Sequence, residues 1–180
     1  FALLVYFWHD LVGALRDVKG LGLKILLGIL PAGLVGFLFE DWFESVCRSV
    51  ESVVLFLSLG SLLMLLAEVW YRRRAKSSEA FLKSSVEKEL TYKGALFIGF
   101  FQVLALFSGF SRSGSTISGG LFYGLKREEA ARFSFLLSVP LILGTGILQL
   151  AKMLLVPSNI SLLAFSWPEA LIGILTSFSV

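Results

Sequence analysis

Apolar runs long enough to enter a lipid bilayer recur along the whole of this 180-residue chain, and they leave it few folds to choose from. Backbone N–H and C=O groups find no water inside hydrocarbon, so such runs enter as helices that satisfy their own hydrogen bonds. Six stretches can be read. The first, 1–15, is interrupted by His9 and Asp10 and reads as the tail of a span; the second, 25–39, contains Pro31; the third, 53–70, has Glu68 and Trp70 at its edge. The fourth, 94–110, runs directly into the polar segment SRSGST at 111–116. A short apolar piece at 117–125 precedes the fifth, 133–155, which contains Pro140, and the sixth begins near Glu169. Composition agrees, with 56% hydrophobic and only 16% charged residues, against about 45–50% and about 25% in soluble domains. A mean hydropathy of +0.83 excludes a disordered chain, because that much apolar surface must leave water somewhere. The expected fold class is therefore all-α: a polytopic transmembrane helical bundle.

Charge orients the bundle. Basic residues concentrate at 16–24, at YRRRAK (71–76) extended by Lys83, Lys88 and Lys93, and at KREEAAR (126–132), whereas 40–51 is acidic through Glu40, Asp41, Glu44 and Glu51. Basic loops stay in the cytoplasm, so the acidic segment is expected outside. The net charge of +3 needs no nucleic acid, since cytoplasmic loops account for it. YRRRAK is explained as a topology signal, although such clusters also attract anionic headgroups. The single cysteine, Cys47, allows neither an internal disulfide nor a CxxC metal site. The chain opens inside FALLVYFW and closes on ALIGILTSFSV, so residues 1–180 are expected to be one integral membrane domain cut at both ends from a longer protein.

One interval does not fit simple spans. Lys93 and Lys126 belong on the same side, yet only 32 residues, 94–125, lie between them, where two full crossings need about 40. The interval is expected to be a re-entrant hairpin: a descending helix over 94–110 and a half-helix of about ten residues returning from SRSGST. The run LLGIL at 26–30 resembles LIGIL at 171–175 in the opposite orientation, the pattern of an inverted repeat.

SRSGST carries the chemistry. An arginine at membrane depth is unfavourable by about 2.5–3.5 kcal/mol even on the lenient insertion scale, so Arg112 calls for a cavity or a charged ligand. Ser111, Ser113, Ser115 and Thr116 offer hydroxyls, Arg112 a fixed cationic fork, and Gly114 a backbone that can be approached closely. Those groups suit a phosphate or diphosphate, and a half-helix starting near Gly114 or Ser115 would aim its N–H groups at the same spot. The plainer reading is a solvated outer loop with serine caps; the short arm and Gly119, Gly120 and Gly124 favour the anion site.

The stretch from Gly99 to Leu137, GFFQVLALFSGFSRSGSTISGGLFYGLKREEAARFSFLL, closely resembles the C-terminal signature of the undecaprenyl-diphosphatase family. The resemblance extends more loosely through FWHDL (7–11), ILPAGLVGFLFED (29–41) and FSFLLSVPLILGTGIL (133–148). Two positions depart from it: Ser108 stands where the family usually has Pro, and Ser115 where it commonly has Ala. The resemblance implies a bacterial inner-membrane hydrolase that converts undecaprenyl diphosphate to the monophosphate and phosphate, recycling the carrier for cell-wall synthesis and conferring bacitracin resistance. It implies that Ser111, Arg112, Ser113, Gly114 and Thr116 handle phosphate, with Ser115 beside them, Gln102 one helical stretch earlier, and Arg112 and Ser111 as catalytic candidates. SRSGST would open toward the outer side.

The family's other motif, rich in Glu with a Ser-Ser and a His, has no counterpart in this sequence. The resemblance therefore places the ligands of a divalent cation, Mg or Ca, outside these residues, and it implies a fragment that is inactive alone. The partners implied are a polyprenyl diphosphate lipid and the bilayer, with no nucleic acid and a homodimer left open. A transporter or flippase of a phosphorylated polyprenyl lipid is the alternative, because half-helices aimed at an anion are also transporter architecture. His9 does not match the family's functional His and reads as a helix-end residue. Glu68 reads as a solvated edge residue, and Pro31 and Pro140 as shapers of helices.

Overall fold

The protein's structure, a computed structural model, describes residues 5, 6, 8–39, 42, 43, 49–77, 90–155, 171–173 and 175–177. The described elements are helical: α1 (Trp8–Arg16), α2 (Leu23–Leu38), α3 (Val50–Ser77), α4 (Tyr92–Val103), α5 (Arg112–Tyr123) and α6 (Arg127–Leu155). A π-helical turn (Val18–Gly22) joins α1 to α2, and a 3-10 turn (Leu104–Leu106) extends α4. Among the described residues, three segments are long and apolar enough to cross a membrane: Gly20–Leu38, Val50–Ala75 and Arg127–Leu148. The large apolar side chains left exposed on them, such as Leu26, Leu34, Leu55 and Leu65, suit hydrocarbon rather than water. The acidic residues Glu40, Asp41 and Glu44, together with Cys47, Lys83, Lys88 and Glu169, lie outside the described residues. So does residue 174 of the LIGIL run expected to form an inverted repeat.

The hairpin is present, with a descending helix that ends earlier than the apolar pattern suggests and a returning helix of 12 residues. Helix α4 stops at Val103, and a turn over 107–110 leads to the 12-residue α5. At 1.5 Å per residue α5 is about 18 Å long, well short of about 30 Å of hydrocarbon. Gly109 (φ +98) and Gly124 (φ +96) form the two corners, in a left-handed conformation that side chains oppose. At Gly124 the amide bonds the carbonyls of Gly120 (3.1 Å) and Leu121 (2.9 Å), and Leu125 N–H reaches Gly120 O at 3.0 Å, a closed helix end.

Packing sets the directions. Lys24 faces the Tyr92 ring, Gly28 meets Gly99 and Gly36 meets Leu106, so α2 and α4 run parallel. A Cβ at Gly99 would stand 2.6 Å from the Gly28 carbonyl oxygen, which shows how closely these two backbones approach. Helix α3 runs parallel to α5, through Gly60 with Phe110, Met64 with Gly114 and Trp70 with Phe122. Helix α6 returns antiparallel to α5, with Ala130 against Gly120 and Ser134 bonded to Thr116. The buried core, including Ile25, Ala67, Ala95, Ile98, Leu121, Phe133 and Leu137, joins α2 through α6. At the tip of the hairpin Phe107 stacks among Phe43, Phe56 and Trp42.

One expectation needs correction. The segment 16–24 is a helical turn, not an open loop: Asp17 O accepts the amides of Gly20 and Gly22, both at 3.2 Å, and its carboxylate also accepts from Gly20 N–H. Pro31 lies inside α2 and Pro140 inside α6, as the sequence places them within apolar stretches.

Candidate anion site at the half-helix terminus

Ser111 begins α5 because its extended backbone (φ −65°, ψ 120°) turns its hydroxyl back onto the helix end. Its Oγ accepts the Gly114 amide at 3.2 Å, the N-cap arrangement serine favours. Ser113 Oγ lies 3.5 Å from Ser111 Oγ. The amides of Arg112 and Ser113, at the first two helical positions, point forward with no intrahelical acceptor. Ser111, Arg112 and Ser113 are exposed, and among the described residues the Arg112 guanidinium forms no ion pair. Hydroxyls, free amides and a planar cation are thus all exposed at the start of α5, where the helix dipole also favours negative charge.

The second half of the motif points inward. Ser115 and Thr116 are each only 1% exposed. Ser115 Oγ donates to Ser111 O at 2.8 Å, and Thr116 Oγ1 lies 3.0 Å from Arg112 O and 3.2 Å from Ser113 O. Thr116 also bonds Ser134 on α6, so with its own hydrogen directed to the carbonyls it accepts the Ser134 hydrogen. Ser118 Oγ donates to Gly114 O at 2.7 Å. The Thr116–Ser134 bond ties α5 to α6, while the other bonds stay within α5 and its N-cap. The bareness of Gly114 serves the same end: a Cβ there would be 2.8 Å from Met64 Sδ, so the glycine admits α3.

Depth follows from α3. Phe110 lies beside Gly60 and Gly114 beside Met64, and residues 60–64 sit at the middle of the apolar span Val50–Ala75. The start of α5 therefore opens about halfway along a membrane-length helix. Gln102 stands apart from the exposed group. It is buried to 1% exposure one turn beyond Gly99, and neither Oε1 nor Nε2 has a hydrogen-bond partner among the described residues. A buried amide left unpaired costs about 1–3 kcal/mol.

A group the sequence reading missed ties the hairpin down. Glu68, expected to be solvated, accepts Arg127 Nη2 at 2.6 Å and Nε at 3.1 Å, and it also accepts from Arg72. The Arg127 guanidinium lies 4.8 Å from the Tyr71 ring centroid and Arg74 lies 4.7 Å from Trp70. The available signal was an acidic residue late in an otherwise apolar span, four positions before an arginine. His9 is exposed near the start of α1, away from these groups in sequence and element.

A divalent cation finds no suitable donors here. Among the described residues no three His, Cys, Asp or Glu come together, and the Glu68 carboxylate is already engaged by two guanidinium groups. The groups at the start of α5 are hydrogen-bond donors and a cation, which attract an anion and repel a metal.

Comparison with known proteins matches the sequence of this chain to a family. The family described as bacitracin resistance protein BacA matches residues 1–180. The chain is 45% identical over 129 residues to undecaprenyl-diphosphatase 2 of Bacillus licheniformis, covering 72% of this chain and 44% of that protein. Against the undecaprenyl-diphosphatase of Bacillus subtilis it is 40% identical over 129 residues, with the same 72% and 44% coverage. Against that of Arthrobacter sp. it is 36% identical over 167 residues, 85% of this chain and 55% of the relative. The chain spans about half the length of the curated relatives it matches.

Proposed function

The chain belongs to the BacA family of bacitracin resistance proteins, and from that premise we propose that the protein it represents hydrolyses undecaprenyl diphosphate to undecaprenyl phosphate and inorganic phosphate. The relatives' names support the substrate. One structural observation carries the chemistry: the exposed Arg112 guanidinium stands beside the start of a half-helix that opens midway along the span of α3.

Cleavage breaks the bond between the bridging oxygen and the terminal phosphorus. Negative charge grows on the departing lipid phosphate oxygen as a nucleophile adds to phosphorus. Arg112 can hold two non-bridging oxygens at once. The amides of Arg112 and Ser113 and the hydroxyls of Ser111 and Ser113 add donors fixed before the substrate arrives, the kind of preorganisation that stabilises such charge. Gln102 extends the reading as a buried amide for which an incoming ligand would supply a partner. Thr116 serves the site by tying to α6 the helix that presents Arg112, whereas the buried Ser115 hydroxyl bonds back to Ser111 O. A seryl attack by Ser111 requires a base within about 2.6–3.2 Å. Its Oγ contacts here are Gly114 N and Ser113 Oγ, neither of which takes a proton. The base and any Mg or Ca would come from other parts of the protein.

The basic end of the bundle is assigned to the cytoplasm and the open face of SRSGST to the outer side, in keeping with the positive-inside rule. The deciding experiment measures phosphate release from undecaprenyl diphosphate by the full-length protein and its Arg112→Ala variant. Loss of release with insertion intact supports the reading. Transfer of the lipid diphosphate across a bilayer without phosphate release would identify a transporter instead.

A further inference from the structure

Helix α3 meets the start of α5 and, further along, the start of α6, and the two contacts differ in kind. Where α5 begins, the contact is glycine against side chain: Gly60 meets Phe110 and Gly114 meets Met64. These apolar contacts bring the two helices close together but include no directional hydrogen bond between them. One turn past Met64 the contact becomes directional. Glu68 takes both Nη2 and Nε of Arg127, at 2.6 and 3.1 Å, in the two-point geometry that a carboxylate and a guanidinium share. Arg72 braces the same carboxylate from its own helix, and the buried Tyr71 ring lies under the Arg127 guanidinium.

Arg127 is tightly linked to α5. Three residues intervene: Gly124 closes the helix, and Leu125, 1% exposed, is locked into the core with its amide on Gly120 O. Arg127 then starts α6, whose Ala130 and Ser134 hold Gly120 and Thr116. A helix of 12 residues moves as a rod, and a slip of one turn would carry its first residue about 5.4 Å along the bundle axis.

We propose that Glu68 is a positioning residue: through Arg127 it sets the depth at which Ser111, Arg112 and Ser113 are presented to the lipid diphosphate. The proposal rests on the functional reading above, but its structural half is measurable without any reaction. A two-point charged pair is suited to fixing register, because both of its hydrogen bonds form in only one alignment of the helices, although the side chains of Glu68 and Arg127 remain 29% and 54% exposed.

The test uses the full-length protein in bilayers with a spin label at Ser113→Cys, its depth read from collision with oxygen and with a water-soluble relaxant. Turnover and KM are measured on unlabelled protein. Glu68→Gln is expected to shift the label's depth and to lower kcat about 10–100-fold, with KM changed by no more than about twofold, since a misplaced donor harms the transition state most. The exchanged pair, Glu68→Arg with Arg127→Glu, is expected to restore both readings. If Glu68→Gln does not insert, Arg127→Lys replaces it, keeping charge while losing the two-point contact, with the same shift expected. An unchanged label depth in the inserted variant overturns the proposal, even if turnover falls, because the pair would then act only on stability. Normal turnover in Arg112→Ala would instead overturn the functional reading and leave the depth result to stand as a finding about the fold.

Discussion

The hydroxyls of Thr91 and Tyr123 lie 2.8 Å apart although 32 positions separate them. Thr91 caps the start of α4, accepting the Gly94 amide at 3.1 Å, and Tyr123 is the last residue of α5. One hydrogen bond therefore joins the entrance and the exit of the hairpin. The chain goes in and comes back at the same end of the bundle, which is also where Arg127 meets Glu68. Opposite, the tip is held among aromatic rings, and between the two lies the opening of α5.

Because both ends of the hairpin lie together, cysteines placed within 71–93 and within 126–132 are expected to react with an impermeant thiol reagent from the same, cytoplasmic side, and cysteines within 40–51 from the other. Labelling of 126–132 from outside would contradict the hairpin's place in the membrane.

Arg112→Lys in the full-length protein tests the fork rather than the charge. Lysine keeps a cation but offers no planar two-point contact. Turnover is expected to fall about 10²–10³-fold, as when a transition-state donor is removed. Phosphate release measured beside Arg112→Ala, with insertion verified for each, decides it. Near-normal release in the lysine variant would reduce Arg112 to a long-range charge.

The serines of the motif are predicted to separate by burial. Ser115→Ala removes a hydroxyl that only returns to its own helix, so turnover and melting temperature are expected to stay close to the parent values. Ser111→Ala removes the cap, which typically costs about 1 kcal/mol, and takes a hydroxyl from the open face. Turnover should fall in the second variant alone. A Ser115→Ala loss as large as that of Ser111→Ala would place the Ser115 hydroxyl on the substrate.

Gly99→Val should force α2 and α4 apart, since even a Cβ at this position meets the Gly28 backbone at 2.6 Å. Overpacking of this sort costs about 1–3 kcal/mol. Thermal unfolding in detergent would register it as a lowered midpoint, and an unaltered midpoint would mean that the two backbones are not in close contact.

The chain 1–180, inserted by itself, is expected to release no phosphate from undecaprenyl diphosphate. Its anion-binding groups neutralise charge, but the Ser111 hydroxyl has no base among its contacts. Release above background would show that the chain carries a catalytic base of its own.

Apolar run lengths, the distribution of lysine and arginine, and the short interval between Lys93 and Lys126 were enough to determine a helical membrane protein with a re-entrant hairpin. All three are properties of local composition, which reports how much of each segment hydrocarbon will accept. The same logic marked SRSGST, because an arginine beside hydroxyls is out of place within an apolar run. Tertiary packing decided how that motif divides. Ser111 to Ser113 face outward, while Ser115 and Thr116 turn in toward the bundle, because α3 and α6 cover one side of α5. It also converted Glu68 from a span-edge charge into the partner of Arg127, 59 positions away. No periodicity encodes such a pair: a sequence pattern records which faces are apolar, and only the docking of α3 beside the α5–α6 corner brings those two charges within hydrogen-bonding distance.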